Sequence, residues 1–146
     1  MHRIMIRIGF AGLLIVAAGC TSIRRPSGSP PVERRMLVTG YCPCRECCSW
    51  HRNWLLRPVY DSGPLKGKRK DVGLTASGTK ARHGTIAADT RRYPFGTVMW
   101  IEGYGMGRVE DQGGAIKGDH IDLFFKSHAD AEEWGKRTRR VKIWYP

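Results

Sequence analysis

From Met36 onward the chain is built of short apolar alternations closed by turns, and this spacing limits its fold more than any other feature. "RMLVTGY", "TIAAD", "TVMWIEG", "GMGRVED", "HIDLFF" and "RRVKIWY" each read as one short strand bounded by turn residues. In the third of these, Val98 and Trp100 alternate with Thr97, Met99 and Ile101; in the last, Val141 and Ile143 share a face. Residues 57–84 form a loop rich in Gly, Lys and Arg, with a strand-like piece near "GLTASG". One helix stands out. Ser127 can cap "HADAEEW", Asp130 completes a partial capping box and Gly135 supplies the stop. Strands at short intervals with a single short helix near the C-terminus predict a mainly β fold, a small barrel. There is no internal repeat and no dinucleotide or phosphate loop, since "GYGMG" precedes no helix signal.

The first residues do not belong to that barrel. Arg3 and Arg7 make a basic start, Ile8 to Ala18 an apolar run and Ala17-Ala18-Gly19-Cys20 a small-residue end. The run is too short to span a bilayer. The pattern resembles a bacterial lipoprotein signal over residues 1–19, with Cys20 lipidated and the chain held at a membrane through that lipid. Thr21 and Ser22 follow the cysteine, which under the same resemblance directs the protein to the outer membrane, facing the periplasm. Residues 20–35 combine Pro, Ser, Gly and Arg without apolar periodicity and read as a flexible tether. The domain is expected over residues 36–146.

The chain carries a net charge of +12, and without residues 1–19 it keeps 23 basic and 13 acidic side chains, a net +10. That balance predicts attraction to anionic polymers. For an exported chain these are envelope polymers such as peptidoglycan stem peptides, lipopolysaccharide and teichoic acids. Nucleic acid rests on charge alone and is disfavoured by export. Cys42, Cys44, Cys47 and Cys48 crowd into "YCPCRECCSWH". Export and the even count favour disulfides. Cys44 and Cys47 with His51 also have spacing compatible with zinc, although no second ligand pair follows along the chain. Under either reading the cluster staples the barrel rather than acting as a nucleophile.

Asp122 lies inside "HIDLFF", where a carboxylate is costly unless something pairs with it or uses it. Alternation puts Ile121, Leu123 and Phe125 on one face and His120, Asp122 and Phe124 on the other. With the first face in the barrel, Asp122 looks into a groove beside His120 and an aromatic ring, a surface suited to sugar. Asp111 ends the preceding strand, and antiparallel pairing across the glycine loop is expected to bring it up to Asp122. A neighbouring like charge and burial would both raise the pKa of one carboxylate, as a general acid requires. Asp89 and Asp111 can also be read simply as loop caps.

"YCPCRECCSW", "GLTASGTKARHGTIAAD", "YPFGTVMWIEGYGMGRVEDQGGAIKGDHIDLFF" and "HADAEEWGKRTRRVKIW" together resemble the three-aspartate (3D) domain. That family is similar to the catalytic barrel of membrane-bound lytic transglycosylase A and to stationary-phase survival muralytic enzymes. The resemblance implies a double-psi β-barrel acting on peptidoglycan glycan strands, with no cofactor. Its three aspartates fall on Asp89, Asp111 and Asp122. Asp122 would be the catalytic acid, with Asp111 its partner and Asp89 a substrate-side residue. Thr75 and Ser77 of "TASGT" would touch substrate, and Lys117 would overhang the acid. One acid suffices for such a reaction, because the muramic C6 hydroxyl closes onto C1 as a 1,6-anhydro sugar. The chain is too short for a second domain, so the groove should be shallow and completed by a partner or a dimer. The alternative is a non-catalytic wall-binding barrel of the expansin kind. An aspartic peptidase is disfavoured, since Asp89-Thr90 is followed by Arg91 and Asp111 by Gln112 and neither completes that motif.

Overall fold

The computed structural model describes residues 23–28 and 30–146; the expected signal and the lipid-bearing Cys20 lie outside them. Six strands close into a barrel: β1 (Val32–Tyr41), β4 (Thr85–Ala88), β5 (Val98–Ile101), β6 (Gly105–Asp111), β7 (His120–Phe124) and β8 (Arg137–Trp144). A one-turn helix α1 (Arg45–Cys48) and a hairpin of β2 (Trp50–Arg52) and β3 (Pro58–Tyr60) sit outside it, and α2 (His128–Trp134) precedes β8.

Around the barrel the order is β1-β7-β4-β6-β5-β8. Exchanging β1 with β6, β4 with β7 and β5 with β8 maps this ring onto itself. The same exchange carries the parallel pair β1–β7 onto the parallel pair β6–β4. Two parallel pairs related by such a pseudo-twofold are the signature of a double-psi barrel, as expected. Met36, Val38, Ile86, Met99, Ile101, Val109, Ile121, Leu123, Val141 and Ile143 fill the interior and are essentially unexposed. Every barrel strand thus delivers apolar side chains to one core.

α2 begins as its sequence indicates: the Ser127 hydroxyl accepts from the Asp130 N–H at 3.1 Å. It lies tight against β1. A Cβ on Gly40 would come within 3.0 Å of the Ala131 carbonyl oxygen and of the Phe125 ring, so only glycine lets helix and strand approach this closely.

Three expectations change. β1 starts at Val32, four residues before the expected domain boundary, because Val32 to Arg35 pair with β8 from Val32–Ile143 onward. "GLTASG" is a set of turns rather than a strand, held by one isolated bridge between Leu74 and Lys80. The buried Thr75 hydroxyl closes it, donating to the Thr79 carbonyl at 3.0 Å and accepting from the Thr79 N–H at 3.1 Å. The third change is the β2–β3 hairpin and α1, which the sequence presents only as loop and cysteine turn.

Candidate active-site groove

A groove of about 570 Å³ runs over one side of the barrel, within the usual range for ligand sites. Tyr41, Ala87, Asp111, Asp122 and Phe124 line its floor, and Cys47, Cys48, Arg69 and Lys70 stand along its sides. The alternation of β7 places Asp122 here: Ile121 and Leu123 are fully buried inside, and Asp122 points the other way.

The route by which Asp111 arrives differs from the expected hairpin. β6 and β7 are not neighbours; β4 runs between them, parallel to β6 and antiparallel to β7. Ala87 of β4 pairs with Asp111 on one side and with Asp122 on the other. The two aspartates are therefore two strand spacings apart, about 9.6 Å between Cα atoms. A single methyl rises between them. The register shifts at Ile86/Ala87, and that bulge sets Asp111, not Glu110, opposite Ala87. Glu110 is buried on the other side, where it accepts from the Thr85 hydroxyl at 2.8 Å and meets Arg82 at 3.4 Å.

The two carboxylates differ in environment. Burial, followed by the Asp111 charge, pushes the Asp122 pKa up to about 6, against the opposing pull of a hydrogen bond from Thr39. Thr39 is the β1 register partner of Asp122, and its hydroxyl donates to Oδ1 at 2.8 Å. The same hydroxyl lies 2.9 Å from His120 Nε2. His120 is held below the usual histidine range, first by burial and then by the Lys136 charge. Asp111, by contrast, accepts from three donors: Tyr41 Oη at 3.1 Å, the Ala76 N–H at 3.0 Å and the Gln112 N–H at 2.9 Å. Burial, and then Asp111 itself, raise the Tyr41 pKa far above the ordinary range, so Tyr41 stays a donor.

The remaining expected site residues divide. Thr75 lines the groove, and the backbone of its turn supplies the Ala76 N–H to Asp111. Ser77 and His120 are not among the lining residues; Ser77 bonds its N–H to the Glu110 carbonyl, and His120 stands behind Thr39. Asp89 is also outside the lining. Its carboxylate is spent on Arg91, at 3.1 and 3.2 Å, and on the Gly118 N–H at 3.2 Å, which ties β4 to the loop entering β7. The Arg91 guanidinium holds Asp89 well below the usual carboxylate range. Lys117 is exposed and away from the lining, and Arg69 and Lys70 provide the cations of the groove instead. Thr39 and Tyr41 are legible only as the polar members of "LVTGY", out of phase with the buried Met36 and Val38, a local signal that does not by itself mark a site.

The cysteines form no disulfide among the described residues: Cys42, Cys44, Cys47 and Cys48 are all free thiols. The expectation of bridges does not hold in this structure, since Cys42 and Cys47 Sγ stand 3.8 Å apart, far beyond a bond of about 2.05 Å. His51 does not join them; it pairs with Asp61 on the β2–β3 side.

Residues 84–145 match the 3D domain family. The chain is 41% identical over 75 residues to the cell wall-binding protein YocH of Bacillus subtilis, covering 49% of this chain and 26% of that relative. The chain thus spans about a quarter of the relative's length. Among solved structures it is similar to the lytic transglycosylase MltA of Escherichia coli, with 22% identity, a TM-score of 0.42 and coverage of 56% of this chain and 30% of that one. The lytic transglycosylase LtgG of Burkholderia pseudomallei gives 22% identity, a TM-score of 0.38 and coverage of 54% and 28%.

Proposed function

We propose, from the match of residues 84–145 to the 3D domain family, that the protein is a lytic transglycosylase cleaving peptidoglycan glycan strands in the cell envelope. The observation that carries this reading is the unequal pair in the groove. Asp122 holds its proton up to about pH 6, and Asp111 opposite it is immobilised by three donors. Asp122 protonates the oxygen between N-acetylmuramic acid and N-acetylglucosamine, and the bond opens through an oxocarbenium-like state. The leaving sugar departs with that proton. Asp122, now a carboxylate, takes the proton of the muramic C6 hydroxyl as its oxygen bonds to C1, giving the 1,6-anhydro product. Two-carboxylate hydrolysis needs a second acid free to attack or to activate water. Asp111 has its oxygens engaged, which suits a reaction whose nucleophile lies within the substrate and is already held close. Arg69 and Lys70 are placed to receive stem-peptide carboxylates. In this proposal the chain is exported and lipid-anchored at Cys20 on the periplasmic face of the outer membrane, and a partner or second copy closes the open side of the groove.

A second reading is a barrel that binds the wall without cutting it. The name of the relative YocH, a cell wall-binding protein, favours it. Digestion of purified peptidoglycan, with mass analysis of the released muropeptides, separates the two. The expected products end in 1,6-anhydro sugars, and Asp122→Asn releases none while still folding. Reducing ends would replace the transglycosylase with a hydrolase. Binding without release by the unsubstituted protein would leave only the second reading.

A further inference from the structure

We propose that Cys42, Cys44, Cys47 and His128 bind one zinc ion, which fastens the wall of the groove to helix α2. The four ligand atoms lie within 4.8 Å of one another. Cys42 and Cys47 Sγ are 3.8 Å apart, and His128 Nδ1 is 3.8, 3.6 and 3.5 Å from the sulfurs of Cys42, Cys44 and Cys47. Zinc bonds of about 2.3 Å to sulfur and 2.0–2.1 Å to nitrogen in a tetrahedron separate neighbouring ligands by about 3.8 Å for S···S and 3.6 Å for S···N. The measured spacings match those of a zinc cage and exceed those of any bridge.

The surroundings support the same assignment. His128 Nε2 faces the Glu46 carboxylate at 3.2 Å and the Glu132 carboxylate at 3.3 Å. An Nε2–H donating to them leaves the Nδ1 lone pair aimed at the three sulfurs. Carboxylates behind a ligating histidine are the usual outer shell of a zinc site, fixing both tautomer and ring orientation. The Cys47 N–H points at Cys44 Sγ at 3.4 Å, a backbone donor to a sulfur that would carry negative charge. Cys48 stands apart, its thiol donating to the Cys42 carbonyl at 3.2 Å while its side chain lines the groove. Three thiolates and one imidazole with no open position are a donor set for structural zinc rather than for a hard cation or a catalytic site. Each thiol releases its proton to solvent on binding.

The placement gives the ion a task. Cys42 follows β1, Cys44 caps α1 and Cys47 lies within it, and His128 opens α2, which follows β7 in the chain. Pro43, Cys47 and Cys48 of this loop form one side of the groove, so the ion would couple that side to a helix already packed on β1 at Gly40.

The test uses the full chain, purified anaerobically without added reductant or chelator, with elemental analysis and cobalt substitution. One zinc per chain is expected. Cobalt should give tetrahedral d–d bands with thiolate-to-metal charge transfer, and chelation should expose three more titratable thiols. His128→Ala and Cys44→Ser should lose the metal, and Cys48→Ser should retain full stoichiometry. Glu132→Gln should weaken zinc affinity about 10-fold while leaving the ligand set intact. The cobalt spectrum of the unsubstituted chain does not depend on any variant folding. An unsubstituted chain that takes up neither metal, that isolates with these cysteines bridged, or that gives a cobalt spectrum without thiolate bands overturns the proposal. So does loss of metal from Cys48→Ser equal to that from Cys44→Ser.

Discussion

Asp122 is held between opposing influences, and they predict how its neighbours tune it. The Asp111 charge raises its pKa and the Thr39 hydrogen bond lowers it. If activity needs protonated Asp122, the rate falls as pH rises through about 6. Asp111→Asn removes the like charge and should move this descending limb to lower pH. Thr39→Val removes the bond that favours the ionised form and should move it higher. A pH–rate profile of kcat/KM for both variants checks the pair, and shifts in the same direction would refute the assignment. The stability effect has its own sign. The folded state keeps a proton that the unfolded chain has lost between about pH 4 and 6, so this residue's contribution to stability falls as pH rises through that window and stays low above it. Asp122→Asn should therefore be inactive yet more stable at pH 7, by on the order of 1–2 kcal/mol after allowance for partial exposure. A urea titration reads that gain. Asp122 itself was legible because its carboxylate breaks the apolar logic of "HIDLFF". The different task of Asp89 was not, since its partner Arg91 looks locally like an ordinary turn cation.

At the level of elements, β1 carries more of the barrel than its sequence suggests. Its second half supplies Tyr41 to the groove and Thr39 as a donor to Asp122, and runs parallel to β7, while its first half pairs with β8. Residues 32–35 look like tether because Val-Glu-Arg-Arg lacks an apolar repeat, and all four are exposed on the barrel surface. Their backbone bonds to β8 are nonetheless ladder bonds, and Glu33 meets Lys142 at 3.3 Å. Truncation to Met36 should cost about 2–3 kcal/mol, roughly 1 kcal/mol for each net hydrogen bond lost. Truncation to Pro31 should cost little. Denaturant midpoints of the two chains decide, and equal midpoints would return residues 32–35 to the tether. The same contrast explains what was readable overall. Period-two patterns identified the strands and the Ser127 cap identified α2, because those signals are local. The insertion of β4 between β6 and β7 and the approach of His128 to Cys42, Cys44 and Cys47 are set by a crossover and by contacts more than 80 residues apart, which local periodicity does not encode.

For the whole molecule, the distribution of charge matters more than its sum. "LKGKRK", residues 65–70, is an almost wholly exposed basic run, and Leu65, Arg69 and Lys70 of it line the groove. The excess positive charge therefore reaches the rim of the groove, where an anionic glycan–peptide polymer would be drawn toward Asp122. Such attraction is screened as the Debye length shrinks from about 10 Å at 0.1 M salt to about 3 Å at 1 M. Co-sedimentation with purified sacculi should weaken steeply over that range. Lys66→Glu with Lys68→Glu should both reduce binding at low salt and flatten its salt dependence, because neither side chain lines the groove and only long-range charge is altered. Cleavage at saturating substrate should change little in the same variant, since the floor residues Asp111 and Asp122 and the Thr39 donor to Asp122 are untouched. Binding that is indifferent to salt, or equally salt-sensitive after the double reversal, would mean that the groove grips its polymer through apolar and hydrogen-bonded contacts, and that the basic rim is only a solvated surface.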